Sequence, residues 1–178
     1  MSSSGRRTAL VAGAGAGAVV VGVVTVVALW SGGSPSDPDG RSAERQRIVA
    51  ERGETVMPFD LDRTTHRFTP TATGGVQDVV ADRSRDTEQV ALIRAHLRQE
   101  ARAFGRGDFA DPARIHGSGM PGLAELRDGY DRFDVRYEAR ADGATLTYTT
   151  KDSVLVDALH DWFEAQLGDH GGHAESGA

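Results

Sequence analysis

Apolar residues recur along this chain in three different rhythms, and each rhythm predicts a different element. Residues 8–30, TALVAGAGAGAVVVGVVTVVALW, are continuous: 23 positions without a charge. At a helical rise that run spans the roughly 30 Å of a bilayer's hydrocarbon core. A helical rhythm begins at Asp86, an N-cap with Gln89 three residues on as in a capping box. Val90, Ile93, Leu97, Ala101 and Phe104 follow as one apolar stripe, with Gly105 and Gly107 as stops. The same rhythm returns after a cap at Asp152 or Ser153. Leu155, Ala158, Leu159 and Trp162 form its stripe, Val154 and Phe163 its edges, and Gly168 its end. Strict alternation marks residues 132–150, where Phe133, Val135 and Tyr137 answer Leu146 and Tyr148 across an Asp142-Gly143 turn with positive φ. A second, weaker hairpin is predicted over 65–81, around Thr73-Gly74-Gly75. Pro70 confines its first strand to an edge or ends it early.

Shorter signals fill the gaps. Residues 43–53, AERQRIVAERG, read as a charged helix stopped at Gly53, and Pro58 favours an extended course after it. Within DPARIHGSGMPGL (111–123), Asp111 reads as an N-cap, Pro112 as a first helical residue and Gly117 as a left-handed stop. Pro121 then opens a second short helix with Leu123 and Leu126 on one side and Gly129 as its stop. Met120 fills core space between the two. The order is hairpin, helix, short helices, hairpin, helix. It predicts an α+β two-layer sandwich of about four antiparallel strands with helices on one face, preceded by a transmembrane helix. The expected division is a cytoplasmic stub (1–7), an anchor or signal sequence (8–30), a linker with a short charged helix (31–53), a globular domain (54–168) and a flexible histidine-containing tail (169–178). Strand order is not readable from the pattern.

Composition changes the picture in two ways. The chain has no cysteine, which removes disulfides, thiolate metal sites and cysteine nucleophiles together. Setting Arg6 and Arg7 aside leaves 18 basic against 26 acidic residues, a net charge of −8 beyond the apolar run. Such a surface repels phosphate backbones, so nucleic acid is not an expected partner. Arg6 and Arg7 ahead of the run place the N-terminus in the cytoplasm and the remainder outside, with Trp30 at the far interface. The localisation expected is therefore a single-pass cell-membrane protein with an extracytoplasmic domain. The alternative is secretion after cleavage near the small-residue pattern at Val26–Ala28.

Candidate chemistry centres on six histidines, all beyond the apolar run. His116 and Met120 lie four apart, and Asp169, His170 and His173 form DHGGH. Histidine with methionine suits copper and histidine with carboxylate suits zinc, so His116, Met120, His170 and His173 are the metal candidates and zinc or copper the candidate cofactor. His66 shares a strand face with Phe68. His96 and His160 flank the apolar stripes of their helices. His66, His116 and Asp60 are the candidate pocket: their convergence in one concavity favours an enzyme or metal site, and their dispersal a plain interaction module. No nucleophile elbow, phosphate loop, dinucleotide fingerprint or zinc-protease motif is present. The function expected is a non-enzymatic binding or interaction module outside the membrane, its partner an extracytoplasmic protein or a metal ion. The alternative is an enzyme using His116 or His66 with a carboxylate.

Three stretches, ERGETVMPFDLDRTTHRF, RIHGSGMPGL and LHDWFEAQLGDHG, resemble a family of small exported or membrane-anchored bacterial proteins whose members are often named aspartate carbamoyltransferase. The likeness runs from about Glu51 to Gly171 and falls on Met57, Pro58, Phe59, Asp60, His66, His116, Met120, Trp162, Asp169 and His170. That name would imply carbamoyl transfer. The Ser-x-Arg-Thr-Arg loop and His-Pro-x-Gln segment that hold carbamoyl phosphate in that enzyme are not in this sequence. Arg83 and Arg85 within DRSRDT are the nearest echo.

Overall fold

The computed structural model describes residues 38–177. The 8–30 segment lies outside them, and among the described residues no helix is long and apolar enough to cross a membrane. Five helices are described: α1 (Pro38–Gly53), α2 (Thr87–Phe104), α3 (Ala110–His116), α4 (Leu123–Asp128) and α5 (Ser153–His170). Five strands accompany them: β1 (Thr64–Thr71), β2 (Gly74–Ala81), β3 (Phe133–Ala139), β4 (Gly143–Thr150) and β5 (Ala174–Ser176). The class is α+β, as the patterning predicts, but the strand count is five and the sheet is mixed.

The sheet order is β3-β4-β2-β1-β5. Both hairpins are antiparallel, β2 joins them by pairing antiparallel with β4, and β5 runs parallel to β1. The tail was expected to be flexible. Instead Asp169 and His170 are the last turn of α5, a 3-10 turn follows over Gly171–His173, and β5 pairs with His66–Phe68. Gly168 does not end α5, because a mid-helix glycine costs only about 1 kcal/mol against alanine. The helix stops at Gly171, where φ is +52°. β5 ends opposite Phe68, so Pro70 lies beyond its reach on a locally open edge, the place a strand tolerates proline.

Alternation sets the layers. Thr64, His66 and Phe68 of β1 and Ala144, Leu146, Tyr148 and Thr150 of β4 are buried, while the residues between them are exposed or half-buried. α2 and α5 pack on that buried face. α2 presents Val90, Ile93, Leu97 and Phe104, and α5 presents Leu155, Ala158, Leu159 and Trp162, the stripes read from spacing. Phe163, placed at a helix edge by spacing, is fully buried against Phe68 and Tyr148. Val154 is 61% exposed.

Caps refine the boundaries. Asp86 accepts the Gln89 N–H at 3.4 Å, but the Gln89 side chain accepts the Asp60 N–H instead of closing a box. Asp152 caps α5 by accepting from the Val154 N–H at 3.0 Å. α1 starts at Pro38, five residues ahead of the expected charged helix. A first-turn proline is preset for a helix, and Arg47 links Glu44 and Glu51 along its exposed side. α3 likewise starts at Ala110, so Asp111 lies inside the first turn and is not its cap. Asp108 accepts the Ala110 N–H at 3.1 Å and does that work. Gly143 does not adopt a positive φ. It is needed because a Cβ there would sit 2.0 Å from the Val79 carbonyl oxygen of the neighbouring strand.

Candidate functional site

At one end of the helix–sheet interface, side chains from widely separated segments enclose a cavity of about 50 Å³. β1 contributes His66, α2 His96 and Glu100, α3 Asp111 and His116, and α5 Trp162, Gln166 and His170. A water needs roughly 10–15 Å³ of such space, so the cavity admits about three to five water-sized atoms. No arginine or lysine lines it.

His116 is the best-oriented group. Its Nδ1 lies 2.8 Å from Asp169 Oδ2, and both side chains are buried. A carboxylate only accepts, so Nδ1 carries a proton. Asp169 is held in turn by Arg45 of α1, whose guanidinium makes a two-pronged bond to both carboxylate oxygens, one of them at 2.6 Å. Arg45 also reaches the His116 carbonyl oxygen at 3.4 Å. Burial works to raise the Asp169 carboxyl, but the bonds from His116 and Arg45 outweigh it and hold it below the ordinary range. Gly117 ends α3 just past His116 with φ +93° and ψ 154°. The φ is positive as expected, though the conformation is extended and not left-handed helical.

Burial keeps His66, His96 and His170 neutral. His66 and His170 stack with ring centroids 5.0 Å apart, and His170 meets His116 edge-on at 5.0 Å. Burial pushes His66 down to about 4, against an opposing backbone hydrogen bond to His173. Burial also drives His170 well below its usual value, helped by repulsion from His66, His116 and His173. Burial lowers His96 as well, with Asp111 opposing. Two buried nitrogens among the lining residues have no partner, His66 Nδ1 and Trp162 Nε1. In a neutral His66 ring whose other nitrogen is bonded to the His173 backbone, Nδ1 is a bare lone pair.

Glu100 is pushed the other way. Burial, the Asp111 carboxylate beside it and the more distant Asp108 raise it to about 8, so it holds a proton at neutral pH and shares it with Asp111. Tyr148, raised well above its usual value by burial and then by Glu100, donates to Gln77 Oε1 at 2.8 Å.

The sequence candidates are thus divided. His66 and His116 come together, and His170 joins them. Asp60 does not: it is exposed and caps the 3-10 turn over Leu61–Arg63 by accepting the Asp62 N–H at 2.9 Å. Met120 is buried and borders a surface depression with His116, Arg45 and Asp169, not the inner cavity. His173 lies 3.6 Å from Asp62. Among the described residues, no group of three or more His, Asp or Glu side chains is placed to hold a metal ion. His96, expected at a wet helix boundary, lines the cavity, and His160 bonds the carbonyl oxygens of Thr71 and Gly74. His116, which a helix-end position would leave wet, is 5% exposed. Glu100, Asp111, Trp162 and Arg45 are site residues that spacing alone did not single out. Compared with family models, known proteins and solved structures, the chain matches none.

Proposed function

We propose that this protein is a membrane-anchored, extracytoplasmic binding module whose ligand, or one end-group of it, enters the histidine cavity. One observation carries the reading: the two buried nitrogens without partners, His66 Nδ1 and Trp162 Nε1, belong to residues lining the same cavity. A buried polar group left unpaired costs about 1–3 kcal/mol, and a bound ligand recovers that cost. The cavity is far below the roughly 300–1,000 Å³ of a drug-sized site, so the bound portion is small. Attachment to the membrane rests on the apolar run at 8–30 behind Arg6 and Arg7. Carbamoyl transfer, the activity implied by resemblance, draws no support from the lining. A phosphate calls for fixed cationic donors, whereas no arginine or lysine lines the cavity and two carboxyl groups do.

The test is thermal unfolding of the full chain in detergent micelles, with and without small probes: methylammonium, guanidinium at millimolar concentration, urea, acetate, zinc(II) and copper(I). A ligand at about a hundred times its Kd adds about 2.7 kcal/mol of stability. At least one probe should raise the melting temperature, and His116→Asn should weaken that protection. A chain that no probe protects lacks a binding site of this kind.

A further inference from the structure

The polar groups around the cavity specify the charge of its occupant. His66 Nδ1 is without a partner, Glu100 and Asp111 offer carboxyl oxygens, and no side chain of fixed positive charge faces inward. His66 is only 3% exposed, so its unpartnered Nδ1 cannot turn to solvent. Trp162 and Phe104 complete the wall, Trp162 with an unpartnered Nε1–H that is a donor and so looks to an acceptor, not to the donors of a cation. Glu100 and Asp111 also line a surface depression of about 200 Å³, so the carboxyl pair stands between solvent and the inner cavity.

Resting on the binding reading above, we propose that the cavity takes a small organic cation of about four non-hydrogen atoms, a guanidinium or short alkylammonium group, held between the Glu100 and Asp111 carboxyls and the unpartnered Nδ1 of His66. Binding balances as one cation in and one proton out: the Glu100 O–H bond breaks, its proton leaves to solvent, and the freed carboxylate receives donors from the ligand. A buried Glu100 carboxyl that holds a proton beside the half-buried Asp111 carboxylate is a place where a cation is electrostatically equivalent and can make more hydrogen bonds. A remaining donor of the cation meets His66 Nδ1.

The charged and titratable groups facing Glu100 are few. His96 comes from the same helix, Arg106 and Asp108 from the turn after it, Asp111 and Arg114 from α3 and Tyr148 from β4. Arg114 is already paired with Asp111 at 2.9 Å. His66, His116 and His170 share the cavity from β1, α3 and α5. Since Glu100 titrates near 8, affinity for the cation should rise close to tenfold per pH unit below 8 and level off above it.

Calorimetry on the full chain in micelles tests this, using guanidinium and methylammonium, with urea as the neutral isostere of guanidinium and acetate as an anion. Titrations in two buffers of different ionisation enthalpy at pH 6.5 count released protons. The expected result is binding of a cation with close to one proton released, no binding of urea or acetate, and loss of the release at pH 9. Glu100→Gln, which mimics the protonated acid and so preserves the fold, should abolish proton release and weaken binding at least tenfold. Equal binding of urea or acetate, or cation binding without proton release, overturns the proposal while leaving a binding module intact. Proton-releasing binding of zinc(II) or copper(I) with both organic cations inert overturns the organic assignment. Failure of every probe removes the binding reading as well.

Discussion

The space between the sheet and its two long helices is filled in opposite ways at its two ends. At one end Phe104, Phe109, Tyr148, Trp162 and Phe163 meet in stacked and edge-on pairs with centroids 4.7–6.5 Å apart. At the other, four imidazoles and two carboxyl groups surround an unfilled space. The aromatic end gains from area and shape, and is insensitive to pH at neutrality. The histidine end holds groups whose ordinary charge states are suppressed by burial, in opposite directions for acid and base. A region with that arrangement detracts from stability, and its presence beside a well-packed core points to a purpose other than holding the fold. Trp162 belongs to both ends, presenting its ring to the aromatics and its Nε1 to no partner.

Breaking the aromatic end should have the largest effect. Trp162→Ala removes a side chain that is 1% exposed and should cost about 3–5 kcal/mol, read as a fall in denaturation midpoint. An unchanged midpoint would place the core elsewhere. The histidine end should respond to pH. Glu100 is raised in the folded state from 4.5 to about 8, so its contribution is complete below pH 4.5 and is lost as pH rises through 8. Glu100→Gln should therefore stabilise the domain at pH 7 by about 3 kcal/mol, with the gain vanishing near pH 4.5. His66, lowered from 6.5 to about 4, acts in the opposite sense: stability present above pH 6.5 is lost as pH falls toward 4. A stability profile of Glu100→Gln that parallels the parent from pH 5 to 8 would contradict the shared proton.

Two glycines sharpen the contrast at smaller scale. Gly122 abuts α5 beneath Trp162, with φ +74° and a Cβ position only 1.9 Å from the Ala158 carbonyl oxygen. Gly117, beside His116, has φ +93° but nothing within 4 Å of its Cβ position. Gly122→Ala must displace backbone and should lower the denaturation midpoint beyond Gly117→Ala, which carries only the conformational strain of a glycine-type backbone, about 1–3 kcal/mol. Equal effects would show that the packing of α4 on α5 yields easily.

The aromatic end was largely legible in the sequence because helical spacing sorts large apolar residues onto one face. Phe163 escaped only because Phe68 and Tyr148 wrap the helix further than a single stripe implies. The histidine end was legible in part. His66 and His116 were singled out, yet Asp60 was grouped with them and Asp169 was assigned to a tail. Their true relation spans 53 residues from His116 to Asp169 and 124 from Arg45 to Asp169, separations that no local pattern reports. Glu100 did leave a trace. It continues the spacing of Ile93, Leu97 and Phe104, and a carboxyl on the buried stripe of a helix is a signal in its own right. Arg45 left none, since a charged helix reads as solvated until its partner is known.

The clasp of Arg45 on Asp169 also sets a schedule for biogenesis. Translation delivers α1 well before α5, whose last turn carries Asp169 and His170, and β5 follows them. Until those residues emerge, His116 lacks the Asp169 carboxylate that orients it and His66 lacks the His170 ring. The cavity is therefore completed only once α5 has been made to its last turn. It closes by contacts of high sequence separation, the kind that form slowly. A chain cut back to before Asp169 would keep most of the core's aromatic pairs and lose the clasp, so the cavity's geometry reports on the end of α5 and not on the core.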